Sequence, residues 1–304
     1  MFFIPIFTAI GLGLFFLIAD GMCSRDVKKS LKRLEKYGHK EISLSSGNLT
    51  YVDRGKGDVI LSIHGIIGGY DQGIDTAGHL SSEYRVISPS RFGFLGSEIP
   101  EDSSPKEQAK VFAELLDSLE VEQVYLLATC VGGAVAIRFA LDYPERTKGL
   151  ILYSTVSPFM EKPKRWPRYA GLPAFVCNNY GMYLTSLYFK PLMSMDREAI
   201  YSMLPVSDRR EGLLNDATVT SSDMARNFDD YPIEDLQIPV LVFQAKDDKV
   251  AKYKQIAESV KRFSNCKFVV FEKGGHLLSG CGPEIDAAEK DFFKQEAEQQ
   301  PDDE

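Results

Sequence analysis

Two hydrophobic periods alternate along most of the chain. Short apolar runs rich in Val, Ile and Leu predict seven strands, at residues 49–52, 59–63, 85–88, 123–128, 148–153, 239–244 and 267–271. Helical spacing of apolar residues separates the later runs, at residues 106–119, 131–141, 253–262 and 283–294. Strands that are apolar on both faces and joined by helices predict an α/β fold with a mostly parallel, doubly wound sheet. Ligands of such sheets bind beyond the carboxyl ends of the strands.

The stretch from about residue 157 to residue 234 breaks this alternation. It is rich in aromatic residues and carries several Pro and Gly. This composition predicts a helical lid inserted over one edge of the sheet. We expect most of its aromatic side chains to pack internally and some to face whatever lies beneath the lid.

The first 40 residues depart from the composition of the rest. Residues 2–19 are 18 residues without a charge, just enough to cross a bilayer, and a strongly basic stretch follows. We therefore predict a membrane segment at residues 1–22 and a basic linker at residues 23–40. The positive-inside rule then places the catalytic domain in the cytoplasm. The alternative is a cleaved signal peptide, after which the protein is secreted or exported.

The overall composition is that of an ordinary globular protein, with 44% hydrophobic residues and a formal net charge of −8. Because nucleic-acid binding needs a net basic surface, we expect no nucleic-acid partner. The patterns predict one main domain at residues 41–296, and acidic residues crowd a tail at 297–304 that we expect to be solvated. The five cysteines are an odd number without C-x-x-C spacing, so neither a disulfide framework nor a zinc site is indicated.

One predicted strand runs directly into a helix through the turn Thr129-Cys130-Val131-Gly132-Gly133. So sharp a turn needs small residues two positions either side of Cys130, and Ala128 and Gly132 meet that need. The turn resembles the nucleophile elbow of the α/β-hydrolase family, G-x-S-x-G, with Ala in place of the first Gly and Cys in place of Ser. The resemblance implies that Cys130 is the nucleophile.

A second loop, His64-Gly65-Ile66-Ile67-Gly68-Gly69, follows the strand at 59–63 and resembles the H-G-x-x-G loop of the same family. This resemblance implies that the backbone N–H groups of Ile66 and Val131 form the oxyanion hole. It also implies that His64 and Gly65 support the loop, as Gly132 supports the elbow, and that His64 is not the general base.

Two further loops complete the resemblance. Residues 245–250 resemble the G-x-x-D-x-x-V run that supplies the acid of the triad, and His276 follows the last strand behind Gly274 and Gly275. The order nucleophile, acid, His is that of the α/β hydrolases. Counting back from Val250 favours Asp247 as the acid, with Asp248 in reserve.

A cysteine at the elbow implies a thiolate nucleophile activated by His276, and a thioester intermediate. The expected substrates are then small acyl compounds, amphiphilic ones included, that contain a carboxylic ester, a thioester or an activated lactone. An acyltransferase using the same thioester, and a non-catalytic binding protein that keeps the fold, are the alternatives. The chain lacks the P-loop, H-E-x-x-H and Rossmann patterns, so we expect neither a cofactor nor a metal.

Overall fold

Eight strands form a single sheet in the part of the chain that the computed structural model describes. The structure describes residues 3–156 and 158–299, and the side chains of residues 11, 13–156 and 158–295. The strands are β1 (Lys40–Leu44), β2 (Gly47–Arg54), β3 (Val59–Ile63), β4 (Arg85–Pro89), β5 (Val124–Thr129), β6 (Thr147–Tyr153), β7 (Val240–Ala245) and β8 (Cys266–Phe271). Their spatial order is β1-β2-β4-β3-β5-β6-β7-β8. The six strands from β3 to β8 are parallel, whereas β1 and β2 pair in antiparallel fashion. The predicted mostly parallel α/β sheet is confirmed.

Strand register brings the chemistry-bearing loops together. Ile63, at the end of β3, pairs with Ala128 of β5, and Thr129 pairs with Tyr153 at the end of β6. The segments after β3 and β5 therefore leave the sheet side by side, because carboxyl ends of parallel strands share one edge.

Helices cover both faces of the sheet. The helices are α1 (Phe3–Glu35), α2 (Tyr70–Ala77), α3 (Pro105–Ser118), α4 (Gly132–Asp142), α5 (Asn179–Thr185), α6 (Phe189–Met193), α7 (Ile200–Met203), α8 (Arg210–Asn215), α9 (Ser221–Arg226), α10 (Tyr253–Ser259) and α11 (Gly282–Gln299). On one face, Phe112 of α3 and Phe139 of α4 pack against Leu61 and Leu126 of the sheet. On the other face, Phe292 of α11 packs with Tyr125. Because the strands are covered on both faces, their residues form continuous hydrophobic runs in the sequence.

A group of short helices, α5 to α9, is inserted between β6 and β7. We call residues 158–239 the helical insertion. Buried residues of its first part, among them Met182, Tyr183 and Phe189, form a cluster separate from the two that flank the sheet. Cys23 of α1 and Ile67 of the loop after β3 belong to the same cluster. The last part of the insertion instead packs on the sheet, since Tyr231 and Ile233 belong to one of the two flanking clusters.

Residues 23–35 continue α1 rather than forming a separate linker. Cys23, Asp26, Ser30 and Leu34 are buried at a spacing of three or four residues, so one face of the helix packs on the domain. The exposed face carries Arg25, Lys28, Lys29 and Lys32. This packing ties the predicted linker to the folded body.

The predicted membrane segment is not supported. Among the described residues, the helices are either too short or too polar to span a bilayer. Part of the segment predicted at 1–22, namely residues 1–2 and the side chains through 10 and at 12, lies outside what the structure describes. The predicted acidic tail at 297–304 likewise lies outside the described side chains.

Candidate active site

The turn from β5 into α4 holds Cys130 in a strained backbone conformation. Its φ is 50°, in the left-handed region that side chains rarely occupy. Close packing beneath the turn requires small neighbours. A Cβ atom on Gly132 would lie 2.5 Å from the carbonyl oxygen of His64, and one on Gly65 would lie 2.8 Å from the Cβ of Cys130. The small residues recognised in the sequence thus allow the elbow and the loop after β3 to touch.

The backbone N–H groups of Ile66 and Val131 lie close enough to the sulfur of Cys130 to lower its pKa. They come from two different segments, one after β3 and one after β5, and converge because those strands are neighbours. The structure therefore brings together the three groups that the sequence assigned to the nucleophile and its oxyanion hole.

His64 is buried within the loop and faces away from this chemistry. Its Nε2 accepts a hydrogen bond of 2.8 Å from the backbone N–H of Arg91, and its Nδ1 donates one of 2.8 Å to the carbonyl of Gly65. Burial, assisted by the Arg91 charge, lowers the pKa of His64 well below its ordinary value, so the ring stays neutral. Both ring nitrogens hydrogen-bond to backbone groups, as expected of a residue that supports the loop.

His276 meets Asp248, and this differs from the predicted partner. Its Nδ1 lies 2.9 Å from Oδ2 of Asp248, while the carboxylate of Asp247 accepts a 2.8 Å bond from the backbone N–H of Gly275. Asp248 is held by the turn that follows β7, since its other oxygen accepts from the N–H groups of Val250 and Ala251. The prediction of Asp247 as the acid beside His276 is corrected to Asp248.

The error has a simple source in the spacing. Counted forward from Ala245 at the end of β7, the pattern G-x-x-D places the acid at Asp248. Counted back from Val250, the pattern D-x-x-V places it at Asp247. The strand end, which is fixed by the sheet, is the better reference point, and Ala251 takes the position of the usual Val.

Cys130 and His276 form a buried acid–base pair. Burial opposes ionisation of the Cys130 thiol, yet its pKa is lowered, because the His276 charge, the bond to His276 and the two backbone N–H groups outweigh burial. Burial likewise opposes the imidazolium, but Cys130 and Asp248 raise the pKa of His276 to about 10. Both shifts are in the direction that favours a thiolate–imidazolium pair.

The site is enclosed by the rest of the molecule. Cys130 is 6% exposed and His276 8% exposed. The helical insertion reaches the His276 loop, since the hydroxyl of Ser194 donates to the carbonyl of Asp247 over 2.9 Å. A Cβ on Gly275 would lie 2.1 Å from the carbonyl oxygen of Ser194, so the two segments are in direct contact.

Two buried arginine–aspartate pairs hold the loop after β3, and the sequence analysis did not identify them. The side chain of Arg91 donates to the carbonyls of His64 and Gly65 and to the carboxylate of Asp216 in the insertion. The side chain of Arg209 donates to the carbonyl of Gly68 and to Asp71. The two members of each pair are far apart in the sequence and share no motif, so the sequence alone did not indicate either pair.

One group of possible metal-binding residues occurs in the described part of the chain, away from Cys130. The ligand atoms of His79, Asp286 and Glu289 lie within 4.8 Å of one another. Glu289 already binds His79 over 2.7 Å and the hydroxyl of Tyr153, so the group is satisfied as a salt-bridge cluster.

Comparison with known proteins identifies the family to which the fold belongs. A sequence profile described as alpha/beta hydrolase fold matches residues 58–282. "Uncharacterized hydrolase YcgS" of Bacillus subtilis (strain 168) is 25% identical over 269 residues, covering 78% of this chain and 91% of that protein. A solved thermophilic esterase from Thermogutta terrifontis superposes with a TM-score of 0.67 at 22% identity, over 85% of this chain and 98% of the other.

A further solved structure, described as a membrane phospholipase A, superposes with a TM-score of 0.66 at 16% identity over 96% of this chain and 97% of its own. At such identities the solved structures show the fold alone, whereas the matching profile covers most of the chain. The predicted family is therefore confirmed: the chain belongs to the α/β hydrolase fold family and is a hydrolase of that family.

Proposed function

We propose that the protein hydrolyses carboxylic ester, thioester or lactone bonds through Cys130, His276 and Asp248. The observation that carries the proposal is the position of the His276 ring, which lies beside the Cys130 sulfur and places its Nδ1 2.9 Å from Oδ2 of Asp248. A nucleophile bonded to a base that is oriented by a third group is the general signature of covalent acyl transfer.

The reaction follows from the charges of these groups. The Cys130 thiolate attacks the acyl carbonyl, forming a carbon–sulfur bond and a tetrahedral oxyanion. The oxyanion collapses, the carbon–oxygen bond to the leaving group breaks, and the leaving alcohol takes the proton from the His276 imidazolium. The now neutral imidazole removes a proton from water, which attacks the thioester and releases the acid, and the proton returns the pair to its resting state.

The backbone supplies the stabilisation of the oxyanion. The N–H groups of Ile66 and Val131 already converge on the sulfur, so they lie beside the carbon that the sulfur would attack. Loss of one such donor typically costs 10²- to 10³-fold in kcat. Amides are disfavoured substrates, because transfer of an acyl group from an amide to a thiol is uphill.

The first test compares two cysteine variants. We expect Cys130→Ala to abolish release of p-nitrophenol from p-nitrophenyl butyrate and to remove the acyl adduct that mass spectrometry finds after acid quench of the wild type. Cys266→Ala is the matched control, because burial raises the pKa of the Cys266 thiol to about 12 and leaves it unreactive. Full activity of Cys130→Ala would end the proposal.

The lifetime of the adduct distinguishes hydrolase from transferase. The enclosed position of Cys130 and His276 supports the transferase as the second candidate, since limited access of water prolongs a thioester. Rapid loss of the adduct in water alone supports hydrolysis. An adduct that persists until an alcohol or amine is added identifies a transferase, and a wild type that forms no adduct with any acyl ester fits the non-catalytic binding protein.

We further propose an amphiphilic substrate taken from an anionic lipid surface on the cytoplasmic side. Five consecutive apolar residues of α1, Leu14 to Ile18, are between 47% and 73% exposed, and Phe175 of the insertion is 81% exposed. Tyr180 of α5 donates to the carbonyl of Phe16, which places the two exposed regions side by side. The exposed Lys28, Lys29 and Lys32 follow on the same helix and would add about 1 kcal/mol each at an anionic surface.

Sedimentation with vesicles tests this surface. We expect the full chain to sediment with vesicles that contain phosphatidylglycerol, and the double variant Phe16→Asp/Leu17→Asp to remain largely in the supernatant. Met160→Asp, another exposed apolar site at 45% exposure, is the matched control and should sediment like the wild type. Equal sedimentation of all three would contradict the assignment, as would a wild type that does not bind.

A further inference from the structure

A buried charge cluster joins α1 to the loop that carries Ile66. Asp71 is the second residue of α2, directly after the loop formed by residues 64–69, and its side chain is 1% exposed. Arg209 of the helical insertion donates to both of its carboxylate oxygens, over 3.0 and 2.7 Å. Arg33 of α1 donates to the same carboxylate over 2.7 Å. Three elements that are far apart in the sequence therefore meet at one carboxylate.

The cluster also holds the loop directly. Arg209 donates to the carbonyl oxygen of Gly68, two residues after Ile66 in the same loop. A Cβ atom on Gly69 would lie 3.0 Å from the Nη1 atom of Arg209, so the guanidinium packs closely against the end of the loop. Any freedom of Asp71 or Arg209 is therefore transmitted to the backbone that positions the Ile66 N–H.

Arg33 and Arg209 share their other partners as well. Both guanidiniums approach the carbonyl oxygens of Ser202 and Leu204 in the insertion. Burial on its own would raise the pKa of Asp71, but the two guanidiniums lower it, so the carboxylate stays charged. Removal of Arg33 leaves the Arg209–Asp71 pair charge-balanced. It also takes away one donor to the Asp71 carboxylate and one of the contacts that hold α1 on the domain.

We propose that Arg33 is a positioning residue for the oxyanion hole, through which the docking of α1 controls the rate of the acyl-transfer step. The inference rests on the proposed function, because it assigns the Ile66 N–H to the oxyanion. Arg33 touches neither Cys130 nor His276 and acts only through Asp71 and Arg209.

The kinetic consequence is specific. The Ile66 N–H stabilises charge that develops in the transition state, so a looser loop lowers kcat and leaves KM nearly unchanged. Displacement of a catalytic group by about 1 Å costs up to 10²-fold. We expect Arg33→Ala to lower kcat roughly tenfold, within this range. Arg33→Lys keeps one donor to Asp71, and it should recover part of the loss.

The experiment pairs kinetics with hydrogen–deuterium exchange on the full chain. Arg25→Ala is the matched control, because Arg25 is also a guanidinium of α1 paired with an aspartate, Asp26, but has no contact with Asp71. We expect faster exchange in the peptide of residues 64–73 for Arg33→Ala, an intermediate rate for Arg33→Lys, and the wild-type rate for Arg25→Ala. Exchange elsewhere in the sheet, followed in the peptide of residues 124–129, reports whether each variant is folded.

The two readouts separate the two proposals. If the wild type hydrolyses no ester, the proposed function fails, and the exchange rates alone still decide whether Arg33 holds the loop. If the wild type is active and Arg33→Ala matches Arg25→Ala in both kcat and loop exchange, the inference is overturned. A change in KM alone, or faster exchange throughout the sheet, also overturns it. Should Arg33→Ala not fold, the same comparison is made between Arg33→Lys and Arg25→Lys.

Discussion

At Cys130, the proposed nucleophile, a sulfur atom changes which proton has to move. A serine hydroxyl needs a base at the moment of attack, whereas the Cys130 thiol, with its pKa lowered by His276, can already have transferred its proton. The His276 imidazolium is then ready as the acid for the leaving group. The acid beside it has the task of orienting the ring and stabilising its charge.

The two neighbouring aspartates give a sharp prediction at this scale. Asp248→Asn removes the charge that meets Nδ1 of His276, and we expect kcat/KM for p-nitrophenyl butyrate to fall on the order of 10²-fold or more. Asp247→Asn should stay within a few fold of the wild type, because an amide oxygen can still accept from the Gly275 N–H. The opposite ranking of the two variants would restore Asp247 as the acid.

The predicted site residues that the structure brings together are those held by local geometry. Cys130, Gly132 and His276 follow strand ends within a few residues, so a short pattern locates them. The acid was displaced by one position because its loop departs from the usual spacing. Arg33, Asp71 and Arg209 meet across more than 130 residues of chain, and hydrophobic patterning contains no information on such a contact.

At the scale of elements, burial on both faces makes the central strands easy to recognise. All five residues of β3 are buried, and its predicted bounds of 59–63 match the structure. The edge strand β1 was not predicted, because its exposed positions alternate with half-buried ones and lack a hydrophobic run. Its pairing with β2 through a tight turn, rather than its own composition, creates the strand.

Helix α1 is a second element whose extent could not be predicted from local composition. Its uncharged first half and basic second half differ so strongly in composition that the sequence predicted two segments. One continuous helix instead packs its buried face, including Cys23 and Asp26, against the insertion. Tyr183 of the insertion donates to Asp26, and this contact depends on an element 157 residues away. Tertiary packing, which composition does not encode, unites the two halves.

At the scale of the whole molecule, Cys130 and His276 lie buried between one edge of the sheet and the helical insertion. The end of β5 and the loop after β8 position the two residues, the insertion contacts the His276 loop through Ser194 and the loop after β3 through Arg209, and α1 reaches Asp71 through Arg33. Protonation of the pair is therefore linked to folding, because neither ionised group would keep its partner in the unfolded chain.

This linkage predicts the shape of the stability curve against pH. The folded pKa of His276, about 10, exceeds its ordinary value of 6.5, so its contribution is complete below pH 6.5 and lost as the pH rises through about 10. The folded pKa of Cys130 is below its ordinary value of 9.0, so its contribution is present above pH 9.0 and lost as the pH falls through the folded pKa. Between that lowered pKa and pH 9.0 the two slopes have opposite signs and offset each other.

We therefore expect this pair to contribute little to the pH dependence of the free energy of unfolding of the wild type, measured by urea titration, just below pH 9.0. Cys130→Ala removes the charge that contributes most to raising the pKa of His276, and burial of the ring then opposes its ionisation. We expect the pKa of His276, followed by NMR, to lie well below its wild-type value in Cys130→Ala and to be unchanged in Cys266→Ala, which leaves the pair intact. An unchanged His276 pKa in Cys130→Ala would mean that Cys130 is neutral in the folded protein, and that the thiol must lose its proton only during the reaction.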